Sequence, residues 1–228
     1  DGASRYMFEV MRLQEAAGHI VAPFAMHDPR NAPSAWDKYF VSALDTSRLH
    51  FGLGLLKQLC RAVWSLEAKR KMTAMLKAFR PDIVHVHNIY THLSPSILAA
   101  CKAEGVPVVM PVHDYALVSA NYALWDAGRG VSLVRDREGQ GRALPLHAIA
   151  RTRFIKHSYL ATLLLEVINR VQRMLGLYDR AIDVYLPSSE FVKRTLVAAG
   201  YPEDKMRVVP LFASIGVSDA DGSSIRPY

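Results

Sequence analysis

RPDIVHVHNIYTHLSPSILAACKAEGVPVVMPVHD, residues 80–114, decides the fold. Asp82–His87 holds the run Ile83-Val84-His85-Val86, a short β-rich stretch of the kind buried in a parallel sheet. The segment after it is punctuated as a helix. Ser94 is placed to cap it, Pro95 suits its first position, and Gly105 suits its end. Pro107–Val112 is a second apolar run. Strand, helix and strand in this order predict a parallel pair with a crossover helix. Each strand ends on a polar cluster, His87-Asn88-Ile89-Tyr90 after the first and His113-Asp114-Tyr115 after the second. Ligands of open α/β sheets bind outside the carboxyl ends of the strands, where these clusters fall.

Toward the amino terminus, Arg5–Ala17 predicts a helix with Tyr6, Val10, Leu13 and Ala17 near one stripe and Gly18 as its stop. His19–Ala25 reads as a strand directly after it. Gly2 and Ser4, in a short loop opening this helix, form a candidate phosphate or sugar-phosphate cradle. An α/β unit needs a strand before such a helix, so the expectation is a chain without its first strand. Residues 26–47, with Trp36, Tyr39 and Phe40, read as a long surface loop. Leu53–Phe79 reads as one long amphipathic helix or two.

Toward the carboxyl terminus, residues 116–145 are irregular, with glycines marking turns and Val131–Arg135 suggesting a hairpin arm. Leu146–Leu177 is a basic helical region broken near its middle, and its Leu160–Leu165 cluster is expected to be core, against the alternative of a membrane anchor. Ile182–Leu186 is a further strand. Ser188 or Ser189 caps a helix over Glu190–Ala199, ended by Gly200, and Met206–Leu211 is the last strand. Residues 214–228 are rich in Ser, Asp and Gly and are expected to be a disordered tail. The joint of helix, Ala-Gly or Ala-x-Gly, then strand recurs in EAAGHIVAPFA, CKAEGVPVVMPV and VAAGYPEDKMRVVPL. Repeated α-to-β joints predict the α/β class: a doubly wound, Rossmann-like parallel sheet with flanking helices.

With 228 residues, half of them hydrophobic and 21% charged, the chain can bury a sizeable core. Cys60 and Cys101 make no disulfide framework and suit buried thiols of a cytosolic protein. No apolar run approaches the roughly 20 residues of a membrane span. The net charge of +7 is uneven: residues 129–173 carry nine Arg or Lys against three acids. Such a segment favours anionic partners, so Arg151, Arg153, Arg170 and Arg173 are candidates for an anionic acceptor or a membrane surface, against the plainer alternative of a solvated helix face.

His113 and Asp114 are the candidate catalytic pair. A strand-end histidine can hydrogen-bond a sugar hydroxyl or a phosphate oxygen. The alternative roles are structural, with Asp114 capping the next turn and His113 bonded to a backbone carbonyl. His87, Asn88 and Tyr90 are candidates for lining the neighbouring loop. The His85-x-His87 pair with His113-Asp114 also admits a metal-dependent hydrolase, but His85 lies deep in its run and reads as a core histidine. There is no G-x-S-x-G, G-x-G-x-x-G or Walker pattern, no zinc-type cysteine spacing and no nucleic-acid motif.

The stretch Pro81-Asp82-Ile83-Val84-His85-Val86-His87, followed by a helix and by Pro107 through His113-Asp114, resembles the amino-terminal domain of retaining, family-4-type glycosyltransferases of GT-B fold. DVYLPSSEFVKRTLVAAGYPEDKMRVVPL and the helix opened by Gly2 are similar to further stretches of that family. The resemblance covers the chain apart from residues 26–47 and the tail. It departs at Asp1-Gly2-Ala3, where the family has a glycine pair, and at Leu211-Phe212-Ala213, where it has Asn-Gly. It implies one acceptor-side domain over residues 1–213, with the donor-binding carboxyl-terminal domain and its acidic E-x7-E element outside this chain. It further implies a hexosyltransferase-type enzyme moving a sugar from a nucleotide-diphosphate sugar to a sugar or lipid-linked acceptor, in polysaccharide or glycolipid synthesis. This chain alone is expected to be inactive. His113 matches the family histidine that faces the donor sugar, and His87, Asn88 and Gly2 match loops on the same rim. No cofactor and no metal are implied; the nucleotide sugar is a substrate. The expected setting is cytoplasmic, peripheral on the inner membrane face. The rival expectations are a non-catalytic sugar- or phosphate-binding module and the metal hydrolase.

Overall fold

The computed structural model describes residues 2–43, 59–90, 93–126 and 146–212, with the backbone of three residue pairs at 131–132, 134–135 and 142–143. The expected tail, the start of the Leu53–Phe79 helix and most of residues 127–145 lie outside the described residues. The chain divides into two compact units, Asp1–Val21 with Leu211–Tyr228, and Ala22–Pro210.

The smaller unit contains helix α1, Gly2–Ala16. Of the expected stripe only Tyr6 is buried, its ring 5.1 Å from that of Phe212; Leu13 is exposed. Gly18 ends the helix at φ +90°, a conformation in which a Cβ is strained.

The larger unit is built on a parallel sheet. Strand β1 is Val84–His85, β2 is Val108–Val112 and, after the short pairs described below, β7 is Val184–Pro187. Their order is β1-β2-β7, with both pairings parallel. β2 is central, and Val108, Met110 and Val112 are fully buried, as the continuous apolar run required. Asp183 ties the start of β7 to that of β2 by accepting a 2.7 Å hydrogen bond from the Val108 amide. Met206 bridges Tyr185, and the amides of Arg207 and Val209 donate to the carbonyls of Tyr185 and Pro187. The expected last strand therefore runs along β7 as an edge segment and not as a full ladder. Pro210, which has no amide hydrogen, follows the last of these bonds.

Two of the next three helices start at a serine cap. Helix α2, Leu66–Phe79, is capped by Ser65 Oγ, which accepts from the Ala68 amide. Residues 59–63 are also helical, so the Leu53–Phe79 region holds a break at Trp64-Ser65. Helix α3, Ser96–Ala103, packs on α2. Ser94 does not cap α3 from its first turn. It sits buried at φ +59°, its Oγ accepting from the Ser65 amide at 2.9 Å, and Ser96 Oγ donates to the Ser65 carbonyl at 2.7 Å. Those bonds join the starts of the two helices. Helix α6, Glu190–Ala198, begins at Ser189, whose Oγ accepts from Val192, and ends before Gly200 at φ +96°.

Between β2 and β7 the chain forms two antiparallel pairs: β3 (Trp125–Asp126) with β4 (Val131–Ser132), and β5 (Val134–Arg135) with β6 (Arg142–Ala143). Helices α4, Leu146–Arg151, and α5, Tyr159–Met174, then pack together. The break between them carries positive φ at Arg153, Lys156 and His157.

Two expectations are corrected. His19–Ala25 is not a strand: Pro23 interrupts it, and pairing is confined to one bridge, Met26 with Val41. The aromatics of residues 26–47 are not a free surface loop. Phe40 and Val41 are buried, and Trp36 meets Phe79 at the end of α2 edge-on at 5.0 Å.

Candidate functional site

The carboxyl ends of β1 and β2 release their chains side by side, because β1 and β2 pair in parallel register, Val84 with Val108 and His85 with Val109. Counting on from that register, His87 falls level with Pro111, and the ring of His113, two residues farther along, meets that of His87. Their rings stack at 5.2 Å with an interplanar angle of 25°, and His87 Nδ1 lies 2.9 Å from His113 Nε2. At that distance one nitrogen carries the hydrogen and the other accepts it. His85, the last residue of β1, meets the His87 ring edge-on at 5.4 Å. It is half-buried beside the site and is not the core histidine expected.

Burial keeps this trio neutral. Desolvation pushes His87 down to about 3, and the neighbouring His85 and His113 act in the same direction. His85 is lowered by burial and by His113. His113 is lowered by burial, with Asp114 opposing.

Asp114 takes the turn-capping role. Its Oδ1 accepts from the Ala116 amide at 2.9 Å and from the Tyr90 hydroxyl at 3.3 Å. Burial raises its carboxyl above the ordinary range, and the two hydrogen bonds and His113 oppose that rise. Tyr90 is held well above the ordinary tyrosine value by burial and by Asp114. Asn88 adopts φ +41°, a left-handed conformation that asparagine tolerates better than most residues. Its Oδ1 is buried without a hydrogen-bond partner among the described residues.

The loop after Asp114 is bolted to α5. Glu166, fully buried, accepts from the Ser119 hydroxyl at 3.1 Å and the Ala120 amide at 2.8 Å, and Arg170 pairs with its other oxygen at 2.9 Å. Asn169 donates to the Ala116 carbonyl, Arg173 to the Val118 carbonyl, and Tyr201 to the Leu117 carbonyl. No local sequence pattern singles out Asn169 or Tyr201 for this role. The available signal was a single acid, Glu166, in an otherwise basic helix.

The same bonds divide the four candidate arginines. Arg170 and Arg173 turn inward to Glu166 and Val118, whereas Arg151 and Arg153 are exposed. Gly2 and Ser4 open α1 in the smaller unit, where a Cβ added at Gly2 meets nothing within 4 Å. His87, Tyr90, His113 and Asp114 are brought together in the larger unit, joined in two hydrogen-bonded pairs.

The model for Glycosyltransferase Family 4 matches residues 1–214. The chain belongs to that family. No curated protein and no solved structure matches it. As a family-4 domain with a parallel sheet flanked by helices, the chain is a Rossmann-like GT-B amino-terminal domain. No group of three His, Cys, Asp or Glu side chains in this family-4 domain is arranged to hold a metal ion among the described residues. The two histidines nearest such an arrangement direct their nitrogens at one another. No described helix is long and apolar enough to cross a membrane.

Proposed function

We propose that this domain is the acceptor-side half of a retaining hexosyltransferase, which moves a sugar from a nucleotide-diphosphate sugar to a sugar or lipid-linked acceptor in polysaccharide or glycolipid synthesis. The observation that carries the reading is the neutral, hydrogen-bonded His87–His113 pair at the carboxyl edge of the sheet in a family-4 domain. A neutral imidazole has one N–H donor and one acceptor nitrogen, and the contact with His87 engages one of the two on His113. When His87 Nδ1 donates to His113 Nε2, the neutral His113 carries its own hydrogen on Nδ1 and donates from there. His113 thus orients donor hydroxyls and stabilises charge developing on the sugar. Asp114 holds the turn that follows, through Ala116 and Tyr90. Asn88, next to His87 in the loop after β1, lines the same edge of the sheet. Donor binding through the diphosphate falls to a carboxyl-terminal domain of the same parent protein. No cofactor takes part.

The test is transfer by the intact protein over a panel of nucleotide sugars. With the productive donor, His113→Ala is expected to lower kcat by roughly 100-fold or more, the size of one preorganised stabilising group. Unchanged turnover in His113→Ala would remove His113 from the reaction. Turnover with none of the nucleotide sugars would favour the sugar- or phosphate-binding module.

A further inference from the structure

Helix α5 breaks the ordinary pattern of a surface helix. Its buried side chains include Thr162, Glu166, Asn169 and Gln172, while Leu160, Val167, Val171 and Met174 are exposed. The Leu160–Leu165 cluster is therefore not the core expected: Leu160 is exposed, and residues 163–165 are only partly buried. A helix that buries polar groups and leaves apolar ones in water forgoes stability, and such local conflicts gather at functional sites. What α5 gains in return is its hold on residues 116–120.

These residues directly follow the turn that begins at His113 and Asp114. They sit in a loop closed on itself, the Tyr115 amide donating to the Tyr122 carbonyl at 3.0 Å. Within the loop, three consecutive carbonyls are satisfied by side chains. Those of Ala116, Leu117 and Val118 accept from Asn169 at 2.9 Å, Tyr201 at 3.0 Å and Arg173 at 3.2 Å. The Ala120 amide donates to Glu166 at 2.8 Å. Asn169, Arg173 and Glu166 all belong to α5, so a helix 46 to 55 residues farther along the chain fixes this backbone.

One of these anchors reaches the site. Ala116 is bonded at both ends: its amide donates to Asp114 Oδ1 at 2.9 Å, and its carbonyl accepts from the Asn169 amide. A single residue therefore links Asn169 to the Asp114 carboxylate, which also accepts from the Tyr90 hydroxyl at 3.3 Å. Asp114 in turn follows His113, whose ring meets His87. Releasing the Ala116 carbonyl lets its amide turn away from Asp114 and loosens the backbone that aims His113. Glu166, Arg173 and Tyr201 act on residues 117–120, farther along the loop.

We propose that Asn169 is a positioning residue for the His113–Asp114 turn, acting through Ala116, and that this hold is why α5 turns a polar face inward. Its effect on turnover rests on the transferase reading; its effect on the turn does not.

The experiment compares two buried amides of α5. Asn169 and Gln172 are both buried, but Gln172 donates to the Ala62 carbonyl and not to the loop. One readout is the ring nitrogen-15 resonances of His113 and the carboxyl carbon-13 resonance of Asp114, in selectively labelled intact protein without substrate. The other is kcat and KM with the productive nucleotide sugar. Asn169→Ala is expected to shift both sets of resonances and to lower kcat by roughly 10- to 100-fold with KM little changed, the scale set by a misplaced reacting group. Gln172→Ala is expected to lower stability and to leave the resonances in place. Alanine favours the helix at either position, and circular dichroism verifies folding. Asn169→Ser, whose side chain falls short of the carbonyl, is the second variant and carries the same expectation. Unmoved resonances in the Asn169 variants would overturn the proposal. So would equal shifts in Gln172→Ala, which would assign the effect to the helix as a whole, or shifted resonances with unchanged kcat in an active enzyme. Resonances shifted by the Asn169 variants alone, in a protein that transfers no sugar, would uphold the positioning and remove the transferase reading.

Discussion

His87 Nδ1 and His113 Nε2 lie 2.9 Å apart with their rings nearly parallel, just beyond the carboxyl ends of two adjacent parallel strands. The contact joins residues 26 apart in sequence, and it exists because β1 and β2 run in the same direction in fixed register. A ring held by a neighbour loses one rotational freedom and one tautomer. That is the preorganisation a reacting group needs.

His87 is accordingly a positioning residue for His113. Replacing His87 by Phe keeps a ring and removes the hydrogen bond. Under the transferase reading, kcat should fall by about 10- to 100-fold with KM little changed. Nitrogen-15 shifts of the His113 ring report the tautomer with no substrate present. A wild-type-like His113 tautomer in His87→Phe would show that the contact orients nothing.

The histidine trio also makes the fold sensitive to acid. His87 titrates near 6.5 when unfolded and about 3 when folded, so between these values the unfolded chain binds more protons. Its contribution is fully present above about 6.5 and is lost as the pH falls toward 3. His85 and His113 shift in the same direction. Asp114, raised by burial, works in the opposite sense around the ordinary carboxylate range. Chemical denaturation from pH 7 to pH 4 should show declining stability, by at most about 1.4 kcal/mol per pH unit for each histidine. His87→Phe should flatten that slope; a slope identical to wild type would contradict the assignment.

Glu166 holds three groups from a fully buried position: Ser119, Ala120 and Arg170. Glu166→Ala removes the acceptor and leaves the partly buried Arg170 guanidinium without this carboxylate. A loss of about 3–5 kcal/mol is expected, measured by urea denaturation. Glu166→Gln keeps an oxygen for Ala120 and should cost less. Equal stability of the alanine variant and wild type would mean that the loop is held by its other bonds.

Ser189 offers a milder measurement. Its hydroxyl accepts from Val192 at the start of α6, and Ser189→Ala should cost about 1 kcal/mol by thermal or urea unfolding. Destabilisation well above 2 kcal/mol would point to a second role for this serine.

What the sequence determined by itself is local. Apolar runs marked the buried strands at Val108–Val112 and Val184–Pro187, Ser189 and Gly200 bounded α6, and the positions of His87 and His113 after their strands placed a site at the sheet edge. These features arise from side-chain period, capping and backbone φ preference, all set by near neighbours. The tertiary structure decided what depends on distant partners. It turned Arg170 and Arg173 inward, because Glu166 and the Val118 carbonyl stand there, and it turned Leu160, Val171 and Met174 outward for the same reason. Helical spacing identifies two faces on α5 but not which one meets the protein. That choice rested on polar bonds to a loop some 50 residues away, whose unsatisfied backbone groups would cost more in the interior than an exposed apolar stripe costs in water.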